Sequence, residues 1–311
     1  MAPFFRSDGD RVKGLSPERR FLPFMMPTRN ESAVYHEQQY DIGKTRRWLR
    51  DFNRSGPPQT ATMFHLFLWA CGQGLNLYPA MNRFVLGSRI YQRRGVQVSF
   101  AAKKEFSATA PLVTVKKPFA PNEPFAAAVK DMTDRIGEGR GSRPRRVDKE
   151  LRLALLLPAL VLRFVLWCLR GLDRLNLMPR SMIESDPMYA SLFVANLGSV
   201  GLDNTFHHLY EYGTISIFAV MGTQKKAVVV ARDGTPEVRE VLQIRWTLDE
   251  RIIDGMYAGE AMGLVKKIME DPEKYLGKPE EVAAGSNPEF AKLYETEVVP
   301  LVAASRGGEA A

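Results

Sequence analysis

Four runs of strand length dominate the 311-residue chain: "VQVSFAAKK" (96–104), "SLFVANLG" (191–198), "ISIFAVMG" (215–222) and "VREVLQIRWTL" (238–248). Each alternates apolar and polar residues or runs apolar throughout, and each is bounded by turn residues, which predicts β-strands. Helical periodicity lies between and around them. "TATMFHLFLWACGQGLNL" (60–77) is apolar on every side, a stretch from about Asn122 to Ile136 repeats at helical spacing, and Ala261, Leu264, Val265, Ile268 and Met269 mark a helix stopped by Pro272. Strand runs interleaved with helices bury both periodicities only when a sheet is covered by helices. The fold class expected is a mixed α/β sheet with helices on it. "AVYHEQQYDI" (33–42), "RFVLGSRIYQRRG" (83–95) and "PLVTVKK" (111–117) add strands, and "GKTRRWLRDFNR" (43–54) adds a short helix.

The chain is long enough for one large domain or two small ones. The pattern divides as an irregular, Pro- and Arg-rich arm at 1–28, one domain over 29–277, and a polar tail at 278–311 with a further helical pattern in "PEFAKLYETEVV". There are no internal repeats. A net charge of +8 favours anionic partners: phosphorylated cofactors, nucleic acid or lipid headgroups. The basic run "GRGSRPRR" is too short to suggest a nucleic-acid reader. Two cysteines, Cys71 and Cys168, sit in apolar helical patterns with no Cys/His cluster, so neither a metal site nor a disulfide framework is expected. The N-terminus "MAPFFRSDGD" lacks a signal-peptide core, which points to the cytoplasm.

A basic and apolar insertion at about 137–180 contains the least ordinary segment, "LRLALLLPALVLRFVLWCLRGLD" (151–173). On a helix Arg152, Arg163, Arg170 and Arg174 share one narrow face and the remaining circumference is apolar. The run is short and interrupted for a transmembrane span, which needs about 20 apolar residues. Residues 151–170 are therefore expected to form one helix whose apolar face meets something outside the sheet core. That partner is either a membrane surface, with peripheral attachment to its inner face, or another subunit.

"WTLDERIIDG" (246–255) crowds Asp249, Glu250, Arg251 and Asp254 at the exit of a strand. On its own the cluster reads as a strand-end turn holding an Asp–Arg pair. With two other segments it carries a resemblance. "TMFHLFLWACGQGLNLYPAMN" ends in Pro-x-x-Asn, "FVANLGSVGL" is similar to a Ser-Asn-Leu-Gly strand and turn, and "WTLDERIIDG" with "LVKKIMEDPEKYL" is similar to an Asp-His-Arg-x-x-Asp-Gly signature and closing helix. In this order they resemble the catalytic domain of the dihydrolipoamide acyltransferase component of 2-oxoacid dehydrogenases. The chloramphenicol-acetyltransferase-like fold is implied with it. So are coenzyme A or acyl-CoA as substrate and a homotrimer or larger homo-oligomer, whose active site forms between subunits. The resemblance covers roughly residues 30–277, begins nearly at the acyltransferase core without lipoyl or subunit-binding modules, and departs from the family in the 137–180 insertion.

The resemblance also assigns positions. The family's general-base His falls on Glu250 and its oxyanion-donating Ser on Ala195, whereas Asp249, Arg251, Asp254, Gly255, Asn196 and Gly198 match. The candidate catalytic residues are thus Glu250, Asp254 and His208; the candidate substrate contacts are Asn196, Gly198, Ser199 and His207; Asp249, Arg251 and Ala195 are candidate structural residues of the site. Exchanging His for Glu lowers the free base's pKa by about 2 units, a mismatch of about 3 kcal/mol, which burial of Glu250 would offset. Losing the oxyanion donor costs a further ~2.7–4 kcal/mol at comparable sites. Two readings stay open. One is an oligomeric module whose chemistry is lost or altered; the other is an active CoA-dependent acyltransferase with Glu250, His207 or His208 as base. Lys103, Lys104, Lys116, Lys117 and the arginines at 89–94 are candidate cations for CoA phosphates, while His36 and His65 fit packing roles.

Overall fold

The computed structural model describes residues 6–103, 112–141, 155–231 and 233–296. In chain order the elements are β1 (Gly9–Arg11), α1 (Pro17–Met25), β2 (Ala33–Asp41), α2 (Gly43–Arg54), α3 (Met63–Leu77), β3 (Arg83–Leu86), β4 (Arg89–Arg93), β5 (Val96–Lys103), β6 (Leu112–Phe119) and α4 (Phe125–Arg140). They continue as α5 (Ala159–Arg174), α6 (Arg180–Ser185), β7 (Leu192–Asn196), β8 (Ile217–Val230), β9 (Pro236–Asp249), α7 (Gly255–Glu270), α8 (Pro272–Leu276) and α9 (Pro279–Ala283). The expected strands and the expected mixed α/β class are present.

A six-stranded sheet runs β2-β9-β8-β7-β5-β6, with β7 parallel to both its neighbours and the other pairs antiparallel. A smaller sheet orders β1-β4-β3. Alternation along β9 sends Leu242, Ile244, Trp246 and Leu248 into the main core. That core is closed by α3, which is buried nearly all round, as its uniformly apolar sequence requires. The two pack closely enough that a Cβ on Gly72 of α3 would lie 2.5 Å from the ring of Phe119. The opposite sheet face carries a second cluster around Phe193, Phe218 and Val220, covered by the segment leading into β8.

Four boundaries differ from the sequence reading. The arm read as irregular contains β1, paired with β4, and α1, which is capped by the Ser16 hydroxyl and begins at Pro17. Proline is well placed there, because its missing N–H is an orphan at a helix start. Helix α4 continues through Gly137–Arg140 into the stretch read as linker. The segment 151–170 is not one helix: α5 starts only after Pro158, which holds an extended conformation and disfavours helix in the residue before it. Residues 151–154, with Arg152, lie outside the described residues. The tail is apolar where it meets the core: Val282, Ala283 and Phe290 are buried, and Phe290 sits edge-on to Trp69 at 4.9 Å.

Candidate active site

At the end of β9 the chain turns around a buried pair. The Arg251 guanidinium donates from Nε to Asp249 Oδ1 at 2.8 Å and from Nη2 to Oδ2 at 2.7 Å, and its Nη1 donates to the Met26 carbonyl at 2.7 Å. Asp249 Oδ1 also accepts from the Ser32 hydroxyl at 3.0 Å and from the Arg251 backbone N–H at 3.1 Å. Both charges of the pair are therefore met, as burial of both side chains demands. The buried Arg29 belongs to the same region. It donates to the carbonyls of Tyr210, Glu211, Val85 and Gly213, and burial pushes its pKa down against the pull of Asp249. Nothing in the local sequence around Arg29 signals this role.

Glu250 stands between these two residues and behaves oppositely. Its backbone is held, by its N–H donating to the Ser32 carbonyl at 3.0 Å and by Arg19 Nη1 donating to its carbonyl at 2.7 Å. Its side chain is exposed and has no hydrogen-bond partner among the described residues. The burial that would suit a carboxylate to the base role is missing in the single chain. Asp254 is the N-cap of α7, accepting from the Tyr257 N–H at 3.0 Å, and this bond lowers its pKa.

The "NLGS" turn is equally ordered. Asn196 Oδ1 accepts from the Ser199 N–H at 3.1 Å, and the Ser199 hydroxyl donates back to the Asn196 carbonyl at 2.7 Å. A Cβ on Gly198 would lie 2.3 Å from the Gly222 carbonyl oxygen, so only glycine permits this turn to lie on β8. Ala195 is half-buried against the second apolar cluster and offers a methyl group where a hydroxyl would be a donor.

These two places do not meet within one protomer. Register aligns Ala195 with Val220 and Val220 with Arg245 across β7, β8 and β9. Asp249, next to Glu250, lies four residues further along β9 than Arg245, so at about 3.3 Å per residue and about 4.8 Å per strand the two places are roughly 16 Å apart. His207 and His208 fall nearer the Glu250 end. The His207 carbonyl accepts from the Thr247 hydroxyl at 2.6 Å, and its ring stacks on Phe218 at 4.0 Å. Both rings bond neighbouring backbone carbonyls through Nδ1, and burial is the first cause lowering the His207 pKa.

The cations assigned to CoA phosphates are mostly occupied. Lys117 is buried with Glu123 and Asp131, each at 2.8 Å, and Arg93 is buried against Asp8 and Thr214. Lys116 donates to the carbonyls of Ile183, Glu184 and Asp186, with burial lowering its pKa to about 8. Arg94 pairs with Asp10, whereas Arg89 has no such partner among the described residues. Lys104 and the side chain of Lys103 lie outside the described residues. His36 is on the exposed edge strand β2, while His65 is buried at the start of α3. Among the described residues no group of three His, Cys, Asp or Glu side chains could hold a metal ion.

Residues 180–277 match the family model described as 2-oxoacid dehydrogenases acyltransferase (catalytic domain). The chain is 24% identical over 210 residues to the lipoamide acyltransferase component of the branched-chain alpha-keto acid dehydrogenase complex of Bacillus subtilis, covering 67% of this chain and 39% of that protein. It thus spans about two fifths of that relative's length. A probable dihydrolipoamide acetyltransferase from Listeria monocytogenes superposes with a TM-score of 0.53 at 16% identity, over 84% of this chain and 94% of that one. A chloramphenicol acetyltransferase gives a TM-score of 0.51 at 13% identity, over 85% and 98%. The fold is that of these acyltransferases, and Ala195 and Glu250 both lie inside the matched residues.

Proposed function

We propose that this chain is a dihydrolipoamide-acyltransferase-type module that works as a homo-oligomer and in which the family's acyl transfer is lost or altered. The observation that carries the reading is the separation between Glu250 and the Ala195–Ser199 turn. Two elements that the family pattern assigns to one site stand at opposite ends of a rigid sheet, so a second copy must bring its turn to the first copy's Glu250. At that junction Glu250 would face a thioester with no hydroxyl from position 195 to hold the oxyanion. A coenzyme A thioester remains the ligand class that the matched family suggests. The exposed apolar face of α5 adds a surface for peripheral membrane attachment; among the described residues no helix is long and apolar enough to cross a membrane.

The test is thioester–thiol exchange between acetyl-CoA and dihydrolipoamide, run on the wild type, on Glu250→Ala and on Ala195→Ser/Glu250→His. Exchange at background in the first two, with a rise in the double variant, is the expected result. Wild-type exchange that drops about a hundredfold in Glu250→Ala, the scale of a missing general base, would establish the active reading instead. A monomer in light scattering would remove the shared site altogether.

A further inference from the structure

Helix α1 has two faces. One reaches the turn after β9 through Arg19; the other, with Arg20, Phe21 and Phe24, lines an open groove of about 880 Å³. The remaining walls are residues 11–15 and the turn between β3 and β4, which bring Arg11, Lys13 and Arg89. None of these four cations has an ion pair among the described residues, and no Asp or Glu lines the groove. Like charges gathered around a concavity with no counter-charge focus a positive potential into it. Phe21 and Phe24, 59% and 66% exposed, stand beside the cations rather than in the core. A cationic concavity edged by exposed aromatic rings suits a ligand that joins a phosphate to apolar matter.

The neighbouring element indicates the source of that phosphate. A Cβ on Gly87, in the β3–β4 turn, would lie 3.1 Å from the carbonyl oxygen of Arg174, so the end of α5 abuts the groove's wall. Asp173 fixes that end, accepting from Arg6 Nη1 at 2.7 Å and from the Tyr189 hydroxyl at 2.9 Å, and Leu169 packs on the same side. At about 100° per residue, Leu160, Phe164 and Trp167 then point away from the protein body, with Arg163, Arg170 and Arg174 along one flank. Leu160 is 79% and Trp167 70% exposed, and the sole acidic residue of the helix is the buried Asp173. An outward apolar face flanked by arginines complements an anionic lipid surface, where the rings enter the interface and the guanidiniums meet phosphates.

We propose that the groove between α1, residues 11–15 and the β3–β4 turn binds the phosphate of an anionic phospholipid headgroup. Only the source of the phosphate rests on the reading of α5 as a surface-lying helix; the groove's preference for a phosphate ester stands on its own residues. The experiment compares the full chain with Arg20→Glu/Arg89→Glu and with Phe164→Glu/Trp167→Glu. Each is assayed for flotation with phosphatidylglycerol–phosphatidylcholine vesicles, with pure phosphatidylcholine vesicles, and for calorimetric binding of soluble glycerol 3-phosphate. Thermal melts control for folding, which exchange of Arg20 and Arg89, without ion pairs among the described residues, should leave intact.

The wild type is expected to float with the anionic vesicles only. The groove variant should bind them at least about thirtyfold more weakly, the weight of two lost cations at a membrane surface before the repulsion of the two new carboxylates is added. The helix variant should lose flotation but keep whatever glycerol 3-phosphate binding the wild type has. A folded groove variant that floats like the wild type would overturn the proposal. So would binding of glycerol 3-phosphate that depends on Arg20 and Arg89 without any flotation, because the ligand would then be a free phosphate ester. Flotation lost in the helix variant alone would leave the membrane reading standing and remove the groove.

Discussion

Asp249 and Arg251, two residues apart, close a double-bonded ion pair inside the protein, with side-chain exposures of 0% and 2%. The pair fixes the direction in which the chain leaves β9, and Glu250 between them is turned outward as a consequence. Removing one member of a buried pair strands the other charge, which costs about 3–5 kcal/mol. Arg251→Met is therefore expected to lower the unfolding free energy by that amount in urea titrations. Arg251→Lys should recover only part of it, since an ammonium cannot reproduce the paired contact to both carboxylate oxygens. A variant within about 1 kcal/mol of wild type would show that the pair is dispensable, as surface pairs are.

Asp254 acts through a different interaction. As the N-cap of α7 it satisfies one orphan N–H at the helix start, and its side chain is otherwise in solvent. Asp254→Ala should cost about 1 kcal/mol and Asp254→Asn only a few tenths, measured by the same titrations. The capping bond lowers the carboxyl's pKa, so its contribution is present above the unfolded carboxylate range and disappears as pH falls through the lower, folded value. If the alanine variant lost several kcal/mol instead, the residue would have a tertiary role that its exposure does not suggest.

The glycine of the "NLGS" turn gives a steric prediction. Its missing Cβ would lie 2.3 Å from the Gly222 carbonyl oxygen, a backbone atom that cannot rotate aside. Gly198→Ala should destabilise the protein by about 1–3 kcal/mol, the usual range for overpacking. A crystal structure of the variant should show residues 195–199 displaced from β8. Unchanged stability with the turn in place would contradict the close approach.

The strands were legible because burial on one or both faces writes itself as alternation or as an unbroken apolar run. Helix α3 was legible for the same reason. Helix α1 was signalled by Ser16 and Pro17, an N-cap followed by proline at the first helical position, but Pro23 within it obscured the pattern. The start of α5 was misplaced because hydrophobicity runs unbroken across Pro158, while the backbone does not. The motif residues, Ala195 and Glu250 among them, were legible as a resemblance. Their separation was not: it depends on the register of β7, β8 and β9, which no local pattern encodes. Arg29 was hidden for a related reason, since its partners are carbonyls of residues that are distant in the sequence.

His65 yields the pH prediction. It lies at the third position of α3, 9% exposed, and its Nδ1 accepts from the Thr62 N–H at 3.2 Å while its own N–H donates to the Thr62 hydroxyl. This arrangement needs an unprotonated Nδ1. Burial lowers the folded pKa to about 4 from 6.5. Between those values the unfolded chain takes up a proton that the folded protein refuses, so stability must fall as pH drops through that window. The full effect is about 3 kcal/mol, reached below the folded pKa. Carboxylates titrate in the same range, so the measurement is a difference: urea unfolding of wild type and His65→Gln from pH 7.5 down to the acid limit of folding. Glutamine can accept the same N-cap bond at this helix position and does not titrate. The wild-type curve should fall away from that of the variant below about pH 6.5, and parallel curves would mean that His65 protonates freely in the folded state.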